Sequence, residues 1–322
     1  MKNYITMSMK NNHKTSPHDY SNDEISLGEI LSILWQGKWL VVAVTSFFSL
    51  VFIVYSLSLP NIYQSKALLS PAEEQESLSS AMSSYSGLAS LAGINLPNQD
   101  NGGKAAEAIE KLNSLSFFTD NILPNIFLPD LMAMKSWDAL TNTIIYHKDD
   151  FNEETLMWVR DFKFPQKQIP SAQESFEIFK TDHLEISEDR DTGFITIAIK
   201  HQSPYVAQAW IELIVRELNY FFIKKDKAQT QASMDYLNVQ IAQTSFAEVK
   251  QVIAQLLQQK IQELTLIEVS DFYVFDYVDP PAVMEKKHEP SRLLIVILGG
   301  LLGGTLGIFI VLIRHYYIDK KF

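Results

Sequence analysis

Charged residues vanish from the chain in two places. Trp39 to Leu59 reads WLVVAVTSFFSLVFIVYSLSL, 21 residues without a charge. At 1.5 Å per residue a helix of that length spans roughly 30 Å, the hydrocarbon thickness of a bilayer. Lys38 precedes it, Trp35 and Trp39 stand where interfacial aromatics belong, and Pro60 closes it. A cleaved signal peptide has a shorter apolar core and a short basic leader, whereas 38 residues come first here. The second stretch, Leu293 to Ile313 (LLIVILGGLLGGTLGIFIVLI), lies between Arg292 and Arg314 and carries Thr305 as its one polar side chain. Its glycines at 299, 300, 303, 304 and 307 form three overlapping G-x-x-x-G pairs. Such pairs let two helix backbones approach closely in lipid, so the segment is expected to pack on the first span or on another protomer.

The pattern between the spans is mixed. Tyr63 to Ser70 alternates loosely and stops at Pro71, as a strand does. Residues 77–103 are rich in Ser, Gly and small apolar residues and read as a loop. Lys104 to Phe118 has helical spacing in Ala108, Leu112 and Leu115. The glycine-free stretch onward to about Gln173 offers only weak helical patterns. Residues 183–200 read as a hairpin: Leu184 and Ile186, a polar turn from Asp189 to Gly193, then Phe194, Ile195, Ile197 and Ile199. Ser203-Pro204 supplies an N-cap with proline at the first helical position.

From there to about Glu268 no Gly or Pro interrupts the chain, which predicts one helix over 204–268, a rod of roughly 95 Å. Leu237, Ile241, Val249, Val252, Leu256 and Leu264 keep one apolar face on its second half. A domain of this size cannot bury such a rod. It must project and assemble with other copies, or break near Lys224–Lys227 into an intramolecular pair. An aromatic strand, Phe272 to Val278, follows, and then a proline-rich segment, 279–291. Pro280, Pro281 and Pro290 favour an extended, stiff backbone there. The segment reads as a rigid linker setting the angle of the last helix, or as a site coupling the domain to a partner. The first and last strands are each tethered to a span within a few residues, so pairing them would make a membrane-proximal base from which the rod points away.

Charge changes the picture in one respect. The formal net charge is −11, and Lys2, Lys10, Lys14, Lys38, Arg314, Lys320 and Lys321 all lie outside the middle domain, leaving it still more acidic. That argues against nucleic acid and against anionic lipid heads as partners, and it permits a neutral polymer. Lys38 on one tail and Arg314, Lys320 and Lys321 on the other put both tails on the cytoplasmic side. The expected organisation is therefore a cytoplasmic tail (1–38), a first span (39–59), a periplasmic domain (60–291), a second span (292–313) and a cytoplasmic tail (314–322). The start could be internal, at Met7 or Met9.

Chemistry is hard to find. With no cysteine there is no disulfide, thiolate metal site or cysteine nucleophile. No phosphate loop and no G-x-S-x-G elbow occur. The seven histidines are scattered without metal-ligand spacing, and acidic pairs such as Asp149-Asp150 and Glu153-Glu154 read as solvated surface. No catalytic residue, metal or cofactor is expected.

The layout resembles the Wzz chain-length determinants, the smaller polysaccharide co-polymerases of Gram-negative bacteria. The likeness rests on the two-span layout, the strand around Tyr63–Leu69, the run TGFITIAIKHQSPYVAQAW (192–210) and, most of all, LNVQIAQTSFAEVKQVIAQLLQQKIQELTLIEVSDFYVFDYVDPPAVMEKKHEPSR (237–292) before the glycine-rich span. The resemblance implies an α+β fold with a membrane-proximal base, a long protruding helix and a bell-shaped ring of protomers. It also implies a non-enzymatic regulator of the modal length of O-antigen or a related glycan made by a membrane polymerase. By the same likeness Pro280, Pro281 and Pro290 fall in the family's proline-rich segment, and Gly299, Gly300, Gly303, Gly304 and Gly307 in its small-residue span. The kinase domain of the larger relatives has no counterpart in the nine residues after the second span. Two other readings compete: a periplasmic adaptor of an export or secretion complex, with the rod as a bridge, and a glycan-processing enzyme built on the scattered carboxylates.

Overall fold

The computed structural model describes residues 27–72, 103–270 and 272–317. The expected loop at 77–102, the candidate internal starts and the last five residues lie outside them. In chain order the elements are α1 (Leu27–Gln36), α2 (Lys38–Ser58), β1 (Tyr63–Pro71), α3 (Gly103–Leu112), a run of short helical turns over residues 115–125, and α4 (Leu128–Met132). Four short strands follow: β2 (Met134–Asp138), β3 (Thr143–Tyr146), β4 (Phe151–Asn152) and β5 (Met157–Trp158). The remainder is α5 (Ala172–Ile178), β6 (Leu184–Glu188), β7 (Ile195–His201), α6 (Pro204–Gln243), α7 (Ala247–Val269), β8 (Phe275–Asp279) and α8 (Arg292–Tyr317). The fold is α+β. It divides into two compact units, one holding α1, α2 and α8, the other running from Leu59 to Ser291.

In the first unit, α2 and α8 are long and apolar enough to cross a membrane and pack on one another. Most of their large side chains point outward, among them Phe47, Leu50, Leu301 and Phe309. That is the reverse of a soluble core helix and suits a lipid solvent. Within the expected N-terminal tail the structure adds α1, an element the sequence pattern did not suggest. Ile30, Ile33 and Leu34 give it an apolar stripe, and Ile33 is buried.

The second unit is built on a four-stranded antiparallel sheet in the order β6-β7-β1-β8. The hairpin read at 183–200 is β6–β7, with Leu184 opposite Ile199 and Ile186 opposite Ile197. The first and last strands pair directly, Leu69 opposite Tyr277 and Pro71 opposite Phe275. One face of the sheet (Ala67, Leu69, Ile195, Ile197, Ile199) is covered by Ala207, Ile211, Ile214, Leu218 and Phe222 of α6, and α3 and the turns at 117–122 close the core.

Two expectations are corrected. The helix over 204–268 is two helices, α6 and α7, joined at Thr244-Ser245-Phe246, where Thr244 and Phe246 are extended. The break is neither absent nor near Lys224–Lys227. Thr and Ser weaken a helix because their hydroxyls compete for its backbone hydrogen bonds. The apolar stripe of α7 can then fold back: Ile253 and Leu256 bury Leu237, with Ile241, Val249 and Val252 beside them. Thr230 donates to Glu263 at 2.9 Å and Lys227 meets Glu268 at 2.8 Å, so the pair is an antiparallel hairpin.

Between Met134 and Trp158, where the sequence offers only weak helical patterns, stand two small hairpins, β2–β3 and β4–β5. Their turns are made without glycine. The Asp138 carboxylate accepts from the Leu140 N–H and the Thr141 hydroxyl. Asn142 takes a positive φ of 51°, a conformation asparagine tolerates. In the second turn Asn152 Oδ1 accepts from the N–H groups of Glu154 and Thr155.

Candidate functional site

In the second unit, the chain leaving β8 runs back along the half of β1 that β8 does not cover. Proline has no N–H to give, so the proline end is held by its carbonyls. Ser65 Oγ donates to Ala282 O at 2.9 Å and Gln208 Nε2 to Pro281 O at 3.3 Å. At the far end the N–H groups of His288 and Glu289 both donate to Ile62 O, at 2.8 and 3.1 Å, and Ile62 N–H returns to Glu289 O at 2.9 Å. Pro281 is buried, Pro290 half-buried and Pro280 exposed. The segment is thus a docked strap, fastened at both ends, with 283–287 between the fastenings.

A charge knot secures one end. Lys200 Nζ lies 2.6 Å from Glu185 and 2.7 Å from Glu289, and Gln64 Nε2 donates to the other Glu185 oxygen at 2.6 Å. β7, β6 and the strap therefore meet at one ammonium, and β1 joins them through the Gln64–Glu185 bond. The Lys200 hydrogen bond holds the Glu185 carboxyl below its usual range, and the two carboxylates raise Lys200. The Glu185 and Glu289 side chains are about half exposed, so the knot selects a geometry more than it adds stability.

In the first unit the five glycines divide by role. A Cβ on Gly299 would run into the ring of Phe52. On Gly303 it would stand 2.8 Å from Phe48 Cβ and 3.0 Å from the Thr45 Cα, and on Gly307 3.0 Å from the Val41 Cα. These three, four residues apart, line the side of α8 against α2, where no side chain fits. Gly300 and Gly304 flank them, at 3.3 Å from Ser49 Oγ and 3.7 Å from Thr45 Oγ1, where a methyl could be taken up.

Three residues that matter to this architecture do not stand out in the sequence. Lys200 is one. Asn219, buried at 3 % exposure in mid-helix, is the second. Its Oδ1 accepts from the N–H groups of Tyr273, Val274 and Phe275 at 2.9, 2.7 and 3.2 Å, and its Nδ2 donates to Phe275 O and Val215 O at 3.1 Å. A single amide thereby satisfies the backbone entering β8. An asparagine on the apolar face of a helix, in Leu218-Asn219-Tyr220-Phe221-Phe222, is the signal that could have found it. The third is His201. Two of the scattered histidines, His183 and His201, come together, their rings 5.6 Å apart.

Among the described residues no group of three or more His, Asp or Glu is placed to hold a metal. An open cleft of about 280 Å³ beside β6 is lined by Ile109, Asn113, Lys180, Leu184, Ile186 and Glu188. It offers one ammonium and one carboxylate over an aliphatic floor and brings together no nucleophile with a base.

Residues 23–121 match the family model of Wzz, the chain length determinant protein. The matched stretch takes in the first apolar helix and β1, not the 237–292 run that carried most of the likeness. That match supports the Wzz resemblance read in the sequence over residues 23–121. Among solved structures, a full-length bacterial polysaccharide co-polymerase is 16 % identical, over 91 % of this chain and 99 % of that one, with a TM-score of 0.39. A fragment of WzzB, a polysaccharide co-polymerase from Salmonella Typhimurium, is 14 % identical, over 71 % of this chain and 100 % of its own, with a TM-score of 0.30. Comparison with curated proteins gives no match.

Proposed function

We propose that this protein regulates the chain length of a surface polysaccharide, of O-antigen type, as a non-enzymatic homo-oligomer working with a membrane polymerase. The observation that carries the reading is the match of residues 23–121 to a chain-length determinant family, in a chain with two helices able to span a membrane. In this reading α2 and α8 sit in the bacterial inner membrane with both termini cytoplasmic, and residues 60–291 face the periplasm and the growing glycan. The strap at 279–291, with Pro280, Pro281 and Pro290, is the stiff element through which the sheet unit and the last helix act on the polymerase. Gly299, Gly303 and Gly307 are reserved for packing within the chain, so a partner helix would use another face of α8. A sheet whose last strand is tied to its first, and a strap knotted at Lys200, suit a part that must hold a fixed shape against a moving polymer.

The test is deletion of the gene, with the surface polysaccharide displayed on a gel. Loss of the modal cluster with polymer still present supports the proposal. An unchanged ladder of lengths overturns it. Complete loss of surface polymer would instead favour an adaptor of an export complex.

A further inference from the structure

His183, just before β6, and His201, at the end of β7, form a three-ring cluster with Trp210 of α6. Centroid distances are 5.6 Å between the histidines and 5.5 and 5.1 Å from each to the indole. His201 is 2 % exposed. The Ser203 N–H donates to His201 Nδ1 at 3.0 Å, so that nitrogen carries a lone pair and the proton sits on Nε2, which faces the Asp130 carbonyl at 3.1 Å. His183 Nδ1 faces the Lys200 carbonyl at 2.7 Å and therefore carries its own proton there. Ser203 is the N-cap of the 40-residue α6, its hydroxyl accepting from Val206. One imidazole thus joins the end of β7, the start of α6 and the Asp130 segment.

We propose that His201 is an acid-sensitive latch: a second proton on its ring would meet the Ser203 N–H donor head-on and release the first turn of α6 and the Asp130 segment from the end of β7.

Among the described residues no carboxylate acts on His201 as a counter-ion for the new charge. From α4, Asp130 presents its carbonyl, while its carboxylate accepts from the Tyr146 hydroxyl at 2.5 Å. From the turn before β6 comes His183, with Asp182 acting on it rather than on His201. On β7 the Lys200 ammonium is engaged by Glu185 and Glu289. On β1 Tyr63 stands opposite His201, and α6 contributes Trp210. Burial first, and then the neighbouring His183, hold His201 down to about 4, and burial lowers His183 as well.

An open or unfolded imidazole takes its proton near pH 6.5, whereas the latched one waits until about 4. Between those values the open form binds more protons. The latch therefore weakens as pH falls through this window and is unaffected above it. Asp130, whose carboxyl burial raises, works in the opposite sense at the acid end and offsets part of the loss.

The test is amide hydrogen exchange by mass spectrometry on the full chain in lipid nanodiscs, corrected for intrinsic rates. Protection of residues 203–211 should fall roughly tenfold per pH unit between about pH 6 and 4, and this slope should vanish in His201→Gln. An identical slope in the variant overturns the proposal. Should His201→Gln fail to fold, exchange of the ring C2 hydrogens in the wild type decides. A His201 midpoint well below that of an exposed histidine, coincident with the loss of protection, supports the latch, and a midpoint near 6.5 overturns it.

Discussion

From Pro204 to Phe222, α6 buries Ala207, Trp210, Ile211, Leu213, Ile214, Val215, Leu218, Asn219 and Phe222. From Ile223 to Gln243 it buries only Thr230 and Leu237. The helix is continuous across the change, held by the same backbone hydrogen bonds, yet its two halves belong to different regions. The first half is the roof of the sheet and shares the main core. Past its first turn, where Lys225 and Asp226 still meet α3, the second half packs on α7 through a small apolar cluster around Leu237, Ile253 and Leu256. Lys104, bonded to Asp226 at 3.1 Å, and the Lys225–Glu107 pair mark where α3 stops covering it. Helical continuity therefore says little about stability. Buried contact sets it, and the α6–α7 hairpin can open locally while the sheet unit stays folded.

Five substitutions would break or sharpen this contrast. The largest effect is expected at Asn219. Asn219→Ala strands two buried N–H groups and a half-buried one at the entry to β8, at about 1–3 kcal/mol for each group left unsatisfied, and denaturant unfolding should register a loss above about 3 kcal/mol. Phe222→Ala against Leu237→Ala is the direct comparison of the halves. The first opens a cavity in the main core, at about 4 kcal/mol, and should lower the whole transition. The second should amount to about 2 kcal/mol and appear in hydrogen exchange as faster opening of residues 247–269 alone. Equal global losses from the two would mean that the hairpin and the sheet unit unfold as one body. Ser203→Ala removes the N-cap of the anchored half, and a thermal shift equivalent to about 1 kcal/mol is expected. Least of all, Lys227→Met breaks an ion pair with Glu268 in which both side chains are half exposed, and chemical denaturation should move by less than about 0.5 kcal/mol.

Elements whose residues speak locally are legible in the sequence. The two long apolar helices, the strands read at 63–70 and 272–278, the β6–β7 hairpin and the Ser203-Pro204 cap each rest on a short-range rule: an uncharged run, an alternation, a cap with proline after it. The β2–β3 and β4–β5 hairpins are not legible, because Asp138, Asn142 and Asn152 make their turns with side-chain hydrogen bonds instead of glycine. The break at Thr244-Ser245-Phe246 escapes for a related reason. Nothing there forbids a helix, and only the gain from burying Ile253 and Leu256 on Leu237 makes the bend worth its lost hydrogen bonds.

The site follows the same division. That Pro280, Pro281 and Pro290 stiffen their segment is a property of the prolines, and that glycines four apart admit a close helix is a property of glycine. Both are determined by the residues alone. Which helix lies against Gly299, Gly303 and Gly307, and which carbonyls of the strap are grasped, depends on partners far away in the chain. Ser65 reaches Ala282, Lys200 reaches Glu289, and Asn219 gathers Tyr273 to Phe275 across more than fifty residues. Sequence pattern records what each residue can donate, accept or bury. Only folding decides which distant group answers it, because those bonds form after the chain has closed its long loops and excluded water from the contacts.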